Sequence, residues 1–235
     1  MLVIIGLIVG GVLAGRDLIG MARVRQVITD VEGYKMSVSV YQDRYSWLPG
    51  DDPQAYIRWG SACGVNSGSA VNGCNGNGDG DLGGGNEVRR IWKHLELAEI
   101  GDFSPGAPVY NAALVAGENI PKSSIKGSGY AFHGTSPTCN RAGGQVPTWL
   151  VMGEATSGGG LYKAGINITN AVTIPIDIKT DDGRADTGNV CSAWGWSTPS
   201  NYPGCLRGTL PYDYNKASED GTCLMLFDIG LPVPE

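Results

Sequence analysis

The first fifteen residues, MLVIIGLIVGGVLAG, carry no charge, and the polar pattern that follows them is helical. Val24, Val27, Ile28, Val31, Tyr34, Val38, Tyr41 and Tyr45 recur at steps of three and four, which lays them along one stripe of a helix. Arg23, Arg25, Gln26, Asp30, Lys35, Gln42 and Arg44 fall largely between them. The pattern stops at Leu48-Pro49-Gly50-Asp51-Asp52-Pro53, where proline and glycine end a helix. One helix of about 45 residues would be about 68 Å long, against roughly 8 to 20 residues for an ordinary globular helix. Its first part, 1–15, is apolar all round and suits lipid or the middle of a helical bundle, whereas the remainder is amphipathic and suits packing on its own head. At 1.5 Å per residue the uncharged run spans roughly 22 Å, short of the ~20 residues that cross a hydrocarbon core. Residues 1–48 therefore read as an N-terminal helix, with Leu2, Ile4, Ile5, Leu7, Ile8, Val9, Val12 and Leu13 as its membrane or assembly surface. Residues 49–235 read as one globular head.

Within the head, Glu87 to Ile100 has a second helical pattern, with Val88, Ile91, Trp92, Leu95 and Leu97 or Ala98 inward. Trp149 to Met152, Val172 to Ile178 and Cys223 to Ile229 read as strands bounded by turn residues, consistent with an antiparallel sheet. The predicted class is α+β: a long N-terminal helix, its apolar half protruding and its amphipathic half packed, on an antiparallel sheet with long disulfide-bonded loops.

Composition sharpens this picture. The 37 glycines and 17% charged residues favour turns and strand connections over a stack of helices. A net charge of -6 argues against general nucleic-acid binding, which needs clustered cations. The nearest basic cluster, Arg16, Arg23 and Arg25, flanks the apolar run and fits a membrane edge. Val12-Leu13-Ala14 before Gly15 has the form of a signal-peptide cleavage site, but no positively charged segment precedes the run in the sequence given. Six cysteines, Cys63, Cys74, Cys139, Cys191, Cys205 and Cys223, are even in number and form no CxxC pair. They suggest disulfides and an oxidising compartment, a periplasm or the cell exterior, rather than a metal or redox motif. Cys63 with Cys74 is the natural local pair. The other four allow Cys191 with Cys205 and Cys139 with Cys223, or Cys139 with Cys191 and Cys205 with Cys223.

Candidate chemistry is sparse. Asn75, Asn77, Asp79 and Asp81 alternate oxygen side chains with glycine, as in the first half of a calcium loop, although the twelfth position is Asn86 and the carboxylate of Glu87 comes one residue later. The plain alternative is a solvated loop closed by Cys63 and Cys74. Asp177, Asp181 and Asp182, with Asp186, form a second acidic group, read either as a cation site or as an Asp-Gly turn after a strand. Ca2+ is the cofactor these groups would take. His94 reads as an exposed or hydrogen-bonded helix residue, and His133 has only vague sequence neighbours in Ser128 and Ser136. No GxSxG, HExxH or phosphate loop occurs in the sequence. Trp194 and Trp196 offer either an aromatic sugar-binding surface or a loop packed on the sheet.

The N-terminal segments LVIIGLIVGGVLAGRDLI and YKMSVSVYQDRYSWLPGD resemble the type IV pilins and pseudopilins over roughly the first fifty residues. NGDGDLGGGNEVRRIWKHLELAEIGD, IDIKTDDGRADTGNV and TCLMLFDIGL are similar to heads of one branch of that family. The resemblance implies a non-enzymatic subunit of a type IV pilus or type II secretion pseudopilus. Such a subunit is held in the bacterial inner membrane with a periplasmic head, then packed into a helical filament with like subunits or other pilins, inside the periplasm or outside the cell. It implies pilus or type II secretion machinery and, for the full-length chain, a prepilin peptidase as partners. A basic leader ending in glycine, a first mature phenylalanine and a nearby glutamate belong to that pattern and do not precede Leu2. The expectation is that several residues lie upstream of Met1. The resemblance further favours a disulfide tying the late region to the final strand. The contrasting reading is a membrane-anchored periplasmic carbohydrate-binding module or hydrolase.

Overall fold

The computed structural model describes residues 2–63, 73–80, 82, 87–101, 114–134, 148–154, 168–193, 205–207, 213–214 and 223–230. Helix α1 (Leu2–Tyr45) has 44 residues and is roughly 66 Å long. From Val3 to Met21 its large apolar side chains lie open, Val3 at 75% and Leu18 at 63% exposure. From Val24 the same helix is embedded: Val24, Val27, Val31, Val38 and Tyr41 are buried in the core shared with the head. The helix is long and apolar enough to cross a membrane. The apolar stretch thus outruns the boundary at residue 15 set from the sequence, because Leu18, Ile19 and Met21 continue it past Arg16 and Asp17.

Ser46 (φ 62) and Gly50 (φ 96) turn the chain out of α1. Gly50 is required there. A Cβ at this position would collide with the Glu87 carbonyl oxygen and Ile91 Cγ1, and its positive φ disfavours any L side chain. Gly50→Ala is expected to destabilise the head by at least about 1–2 kcal/mol, read as a lowered denaturation midpoint.

After the short helix α2 (Ala55–Trp59), a 3-10 turn (Gly60–Cys63) leads into the Gly-rich loop, and helix α3 (Glu87–Leu97) follows. Helix α3 buries Val88, Ile91, Trp92 and Leu95 at helical spacing, as the pattern predicts. Its end comes at Leu97, with Glu99 (φ 55) and Gly101 (φ 82) closing the final turn.

A four-stranded antiparallel sheet completes the head: β1 (Ser128–His133), β2 (Trp149–Glu154), β3 (Val190–Ala193) and β6 (Leu224–Asp228), in the order β1-β2-β6-β3. Register is set by Ala131 opposite Val151, Val151 opposite Leu226, and Cys191 opposite Leu226. Two short strands, β4 (Leu206–Arg207) and β5 (Asp213–Tyr214), pair beside it. Tyr130, Phe132, Leu150, Met152, Met225 and Phe227 face the α1 and α3 side and join their core. Trp149, Val151, Cys191, Leu224 and Leu226 make a second cluster, as period-2 alternation requires. Tyr130 donates to Asp30 Oδ2 at 3.1 Å and ties the sheet to α1. The architecture is α+β.

One element departs from its prediction. Val172 to Ile178 is not a strand but the middle of helix α4 (Asn170–Thr180), which contains Pro175. Its buried face is Asn170, Thr173, Ile176 and Asp177, at spacings of three and four. Three of those four are polar, so no apolar helical stripe shows in the sequence, while Val172, Ile174, Ile176 and Ile178 alternate like a strand. Tertiary packing against α1 overrides that local pattern.

Cys63 pairs with Cys74, and Cys205 with Cys223. The second bond excludes Cys191 with Cys205 and joins the region before β4 to the start of β6. It also excludes Cys139 with Cys223, and Cys139, the partner in the one remaining alternative with Cys191, lies outside the described residues.

Candidate functional site

Two features of the molecule could carry function: the bare half of α1 and a polar knot where α1 enters the head. The first is chemically simple. Ile4, Ile5, Leu7, Ile8, Val9, Val12 and Leu13 are all more than half exposed. Gly6, Gly10, Gly11, Gly15 and Gly20 have open space where a Cβ would stand, so another helix could approach the backbone closely there. A water-exposed surface of this kind costs about 25 cal/mol per Å2 of apolar area, and demands a cover of lipid or protein.

The knot is built on His94. Burial in the core pushes its pKa down to about 3, with Arg90 and Arg58 adding repulsion. Its Nδ1 accepts from the Gly50 amide at 2.9 Å, and Nε2 meets the Cys74 carbonyl at 2.8 Å. These partners fix a neutral ring with the proton on Nε2. With both nitrogens engaged and Cys63 and Cys74 joined to each other, the Cys63, Cys74 and His94 group has no thiolate for a metal. Beside it Asp52 Oδ2 accepts from Tyr41 Oη at 2.8 Å and from Arg58, whose guanidinium also lies over the rings of Tyr45 and Trp59. His94 thus belongs to a structural lock between α1, the linker and α3.

That lock has a pH dependence of definite sign. His94 stays neutral when folded and charges near its ordinary value of about 6.5 when unfolded, so its contribution is lost as pH falls from about 6.5 toward 3. Glu87 and Asp177 act oppositely. Burial raises the first to about 7 and the second to about 6, so each favours the fold most below its ordinary pKa and loses that contribution as pH rises through the folded value. Comparison with His94→Gln cancels the carboxylates. The stability advantage of the parent chain over the variant is expected to shrink by about 3 kcal/mol between pH 7 and pH 4, measured by denaturant unfolding at each pH.

The predicted acidic loops divide. In the first, Asn75 Oδ1 accepts the Tyr56 amide at 2.7 Å, and Asn77 Oδ1 the Asp79 amide at 3.0 Å. Asp79 Oδ2 accepts from Asn77 Nδ2 at 2.6 Å. Asp81 lies outside the described residues. Two carboxylates that the loop pattern did not include stand against it. Asp51 reaches the Gly78 and Gly80 amides at 2.6 and 2.8 Å, and Glu87 Oε1 the Asn77 amide at 3.1 Å. Oxygens of Asp51, Asp79 and Glu87 lie within 4.8 Å of one another. Burial, then the neighbouring carboxylates, raises Glu87, and burial also raises Asp51. The only sequence signal for Glu87 was its place one residue beyond the loop, and Asp51 looked like part of a helix stop.

In the second loop Asp177, Asp181 and Asp182 also converge within 4.8 Å, and each accepts hydrogen bonds from the chain. Asp177 accepts from Tyr214 Oη at 2.6 Å and the Gly183 amide at 3.0 Å, and Asp181 from the amides of Asn189 and Val190. Asp182 takes the Arg184 amide and Thr187 Oγ1. Gly188 (φ 83) has no room for a Cβ beside Asp181. The segment follows a helix rather than the predicted strand, and these bonds fold it back into β3.

Ser128 and His133 stand at opposite ends of β1, roughly 17 Å apart, which separates that pair. Ser136, Trp194 and Trp196 lie outside the described residues. Comparison with known proteins returns no matching family model, no matching curated protein and no matching solved structure.

Proposed function

We propose that this chain is a non-enzymatic structural subunit of a type IV pilus or of a type II secretion pseudopilus. The observation that carries the reading is the division of one unbroken helix, bare and apolar from Val3 to Met21 and built into the head from Val24 to Tyr41. A signal sequence has no need of such a continuation, because cleavage would detach it from the stem that completes the head core. A filament subunit does need it. The apolar half rests in the inner membrane, then leaves lipid for a bundle of equivalent helices, and one rigid stem fixes how each head is displayed. The unfilled glycine positions suit the close approach such a bundle requires. Like subunits or other pilins, the assembly machinery and, for the full-length chain, a prepilin peptidase are the partners. His94 is spent on structure and Ser128 is far from His133, which supports display over catalysis.

Mechanical shearing of cells expressing the full gene product tests this reading. Release of the head in high-molecular-weight fibres, or its cross-linking into periplasmic multimers with other pilins, is the expected result. A head recovered as a membrane-held monomer in a strain with working assembly machinery would contradict it.

A further inference from the structure

Three elements bring a carboxylate to one point: Asp51 from the linker after α1, Asp79 from the Gly-rich loop, and Glu87 from the first turn of α3. Asp51 is completely buried and Glu87 is 5% exposed. Clustering alone would mean little, since chain amides can satisfy carboxylates, as they do at Asp177, Asp181 and Asp182. Here one oxygen is left over. Glu87 Oε2 is buried and has no hydrogen-bond partner among the described residues, although Oε1 of the same group is held by the Asn77 amide. A buried carboxylate oxygen without a donor is costly, and the group it belongs to lies among two further acids.

We propose that Asp51, Asp79 and Glu87 form a binding site for a calcium ion that joins the exit of α1, the Gly-rich loop and the start of α3. All donors are oxygens, which selects a hard cation. The Gly78 and Gly80 amides take one lone pair on each Asp51 oxygen and the Asp79 amide also bonds the carboxylate, against about four lone-pair sites in all. Mg2+ demands a tighter octahedron and holds its waters, whereas Ca2+ accepts an irregular set of carboxylates and loop carbonyls. The ligand set differs from the loop pattern in the sequence: Asn75 is turned to the Tyr56 amide, and the two buried acids come from outside the alternating run. The nearby Arg90 does not fill the place of the ion through its Nη1, which donates to the Asn75 carbonyl at 2.7 Å. The site forms within one chain, whether or not the chain assembles.

The test is thermal unfolding of the detergent-solubilised full chain after chelation, with and without millimolar Ca2+ or Mg2+. Calcium is expected to raise the midpoint by on the order of 5 °C or more, with a smaller effect of magnesium. Glu87→Gln should lose most of that shift, and Asp182→Asn should keep it. Asp79→Asn guards against misfolding of the buried variant, because Asp79 is exposed; it should weaken calcium about tenfold or more. Tb3+ gives a direct readout through Trp47, whose ring lies against Gly78, and its luminescence should fall on adding calcium. No calcium shift, a shift equal in the parent, Glu87→Gln and Asp79→Asn, or loss of the shift in Asp182→Asn would overturn the assignment.

Discussion

Ile8→Arg is expected to remove the protein from the membrane fraction and abolish its incorporation into fibres, while leaving the head folded. Ile8 is 60% exposed on the bare half of α1, so the substitution leaves the buried core of the head untouched. Its effect is on what covers the helix. Exchanging isoleucine for arginine at the centre of a lipid-buried helix costs about 3–4 kcal/mol, on the order of a few hundred-fold in partition. Met36→Arg is the matched control, because Met36 is as exposed but lies on the part of α1 that the head holds. That variant should fractionate and assemble like the parent. Sedimentation of membranes followed by shearing reads both steps, and the unchanged near-ultraviolet dichroism of the head shows that folding is intact.

Trp92→Ala carries the largest expected loss of stability. Trp92 is buried on α3 and packs edge-on to Tyr34 of α1, with ring centroids 5.0 Å apart, and against Phe132 of β1 at 4.8 Å. Its side chain therefore joins three elements at one place. Removing it loses the transfer free energy of the indole and opens a cavity, for about 3–5 kcal/mol, a large part of the 5–15 kcal/mol typical of a domain. Ile57→Ala, at an 82% exposed position, should cost less than about 0.5 kcal/mol. Denaturant unfolding in detergent measures the difference. A loss for Trp92→Ala no greater than for Ile57→Ala would mean that the helix-to-sheet core is not assembled as described.

The long helix was legible because its stem repeats apolar residues at three and four and then meets Pro49 and Gly50. Helix α3 was legible from its apolar spacing, and β2 and β6 from short continuous apolar runs bounded by turn residues. Helix α4 was not. Its inward face uses Asn170, Thr173 and Asp177, the last of which accepts a hydrogen bond from the distant Tyr214. Polar residues satisfied by distant partners leave no local hydrophobic signature. The candidate calcium site was half legible. Spacing exposed the Gly-rich loop, including Asp79, but Asp51 lies 28 residues earlier in the chain and could be joined to it only by the turn at Gly50. Its place on a helix allows His94 to be exposed or hydrogen-bonded, and the structure has the hydrogen-bonded case, completely buried.

The same turn links the two halves of the molecule. Gly50 donates to His94, Asp51 holds the Gly-rich loop, and Asp52 holds Tyr41 and Arg58. Three consecutive residues thereby fasten the end of α1 to the head with buried or partly buried hydrogen bonds. A stem fastened in this way can carry force and orientation from the bare apolar segment to the head without a loose joint, as filament display would require.

Cryo-electron microscopy of fibres sheared from cells expressing the full gene product tests the division of α1 most directly. The predicted density has the Val3–Met21 segments of neighbouring subunits packed together at the fibre axis, with the heads outside and Val24–Tyr41 still seated on the sheet. Fibres with these apolar segments apart from one another, or heads released from their own stems, would contradict it.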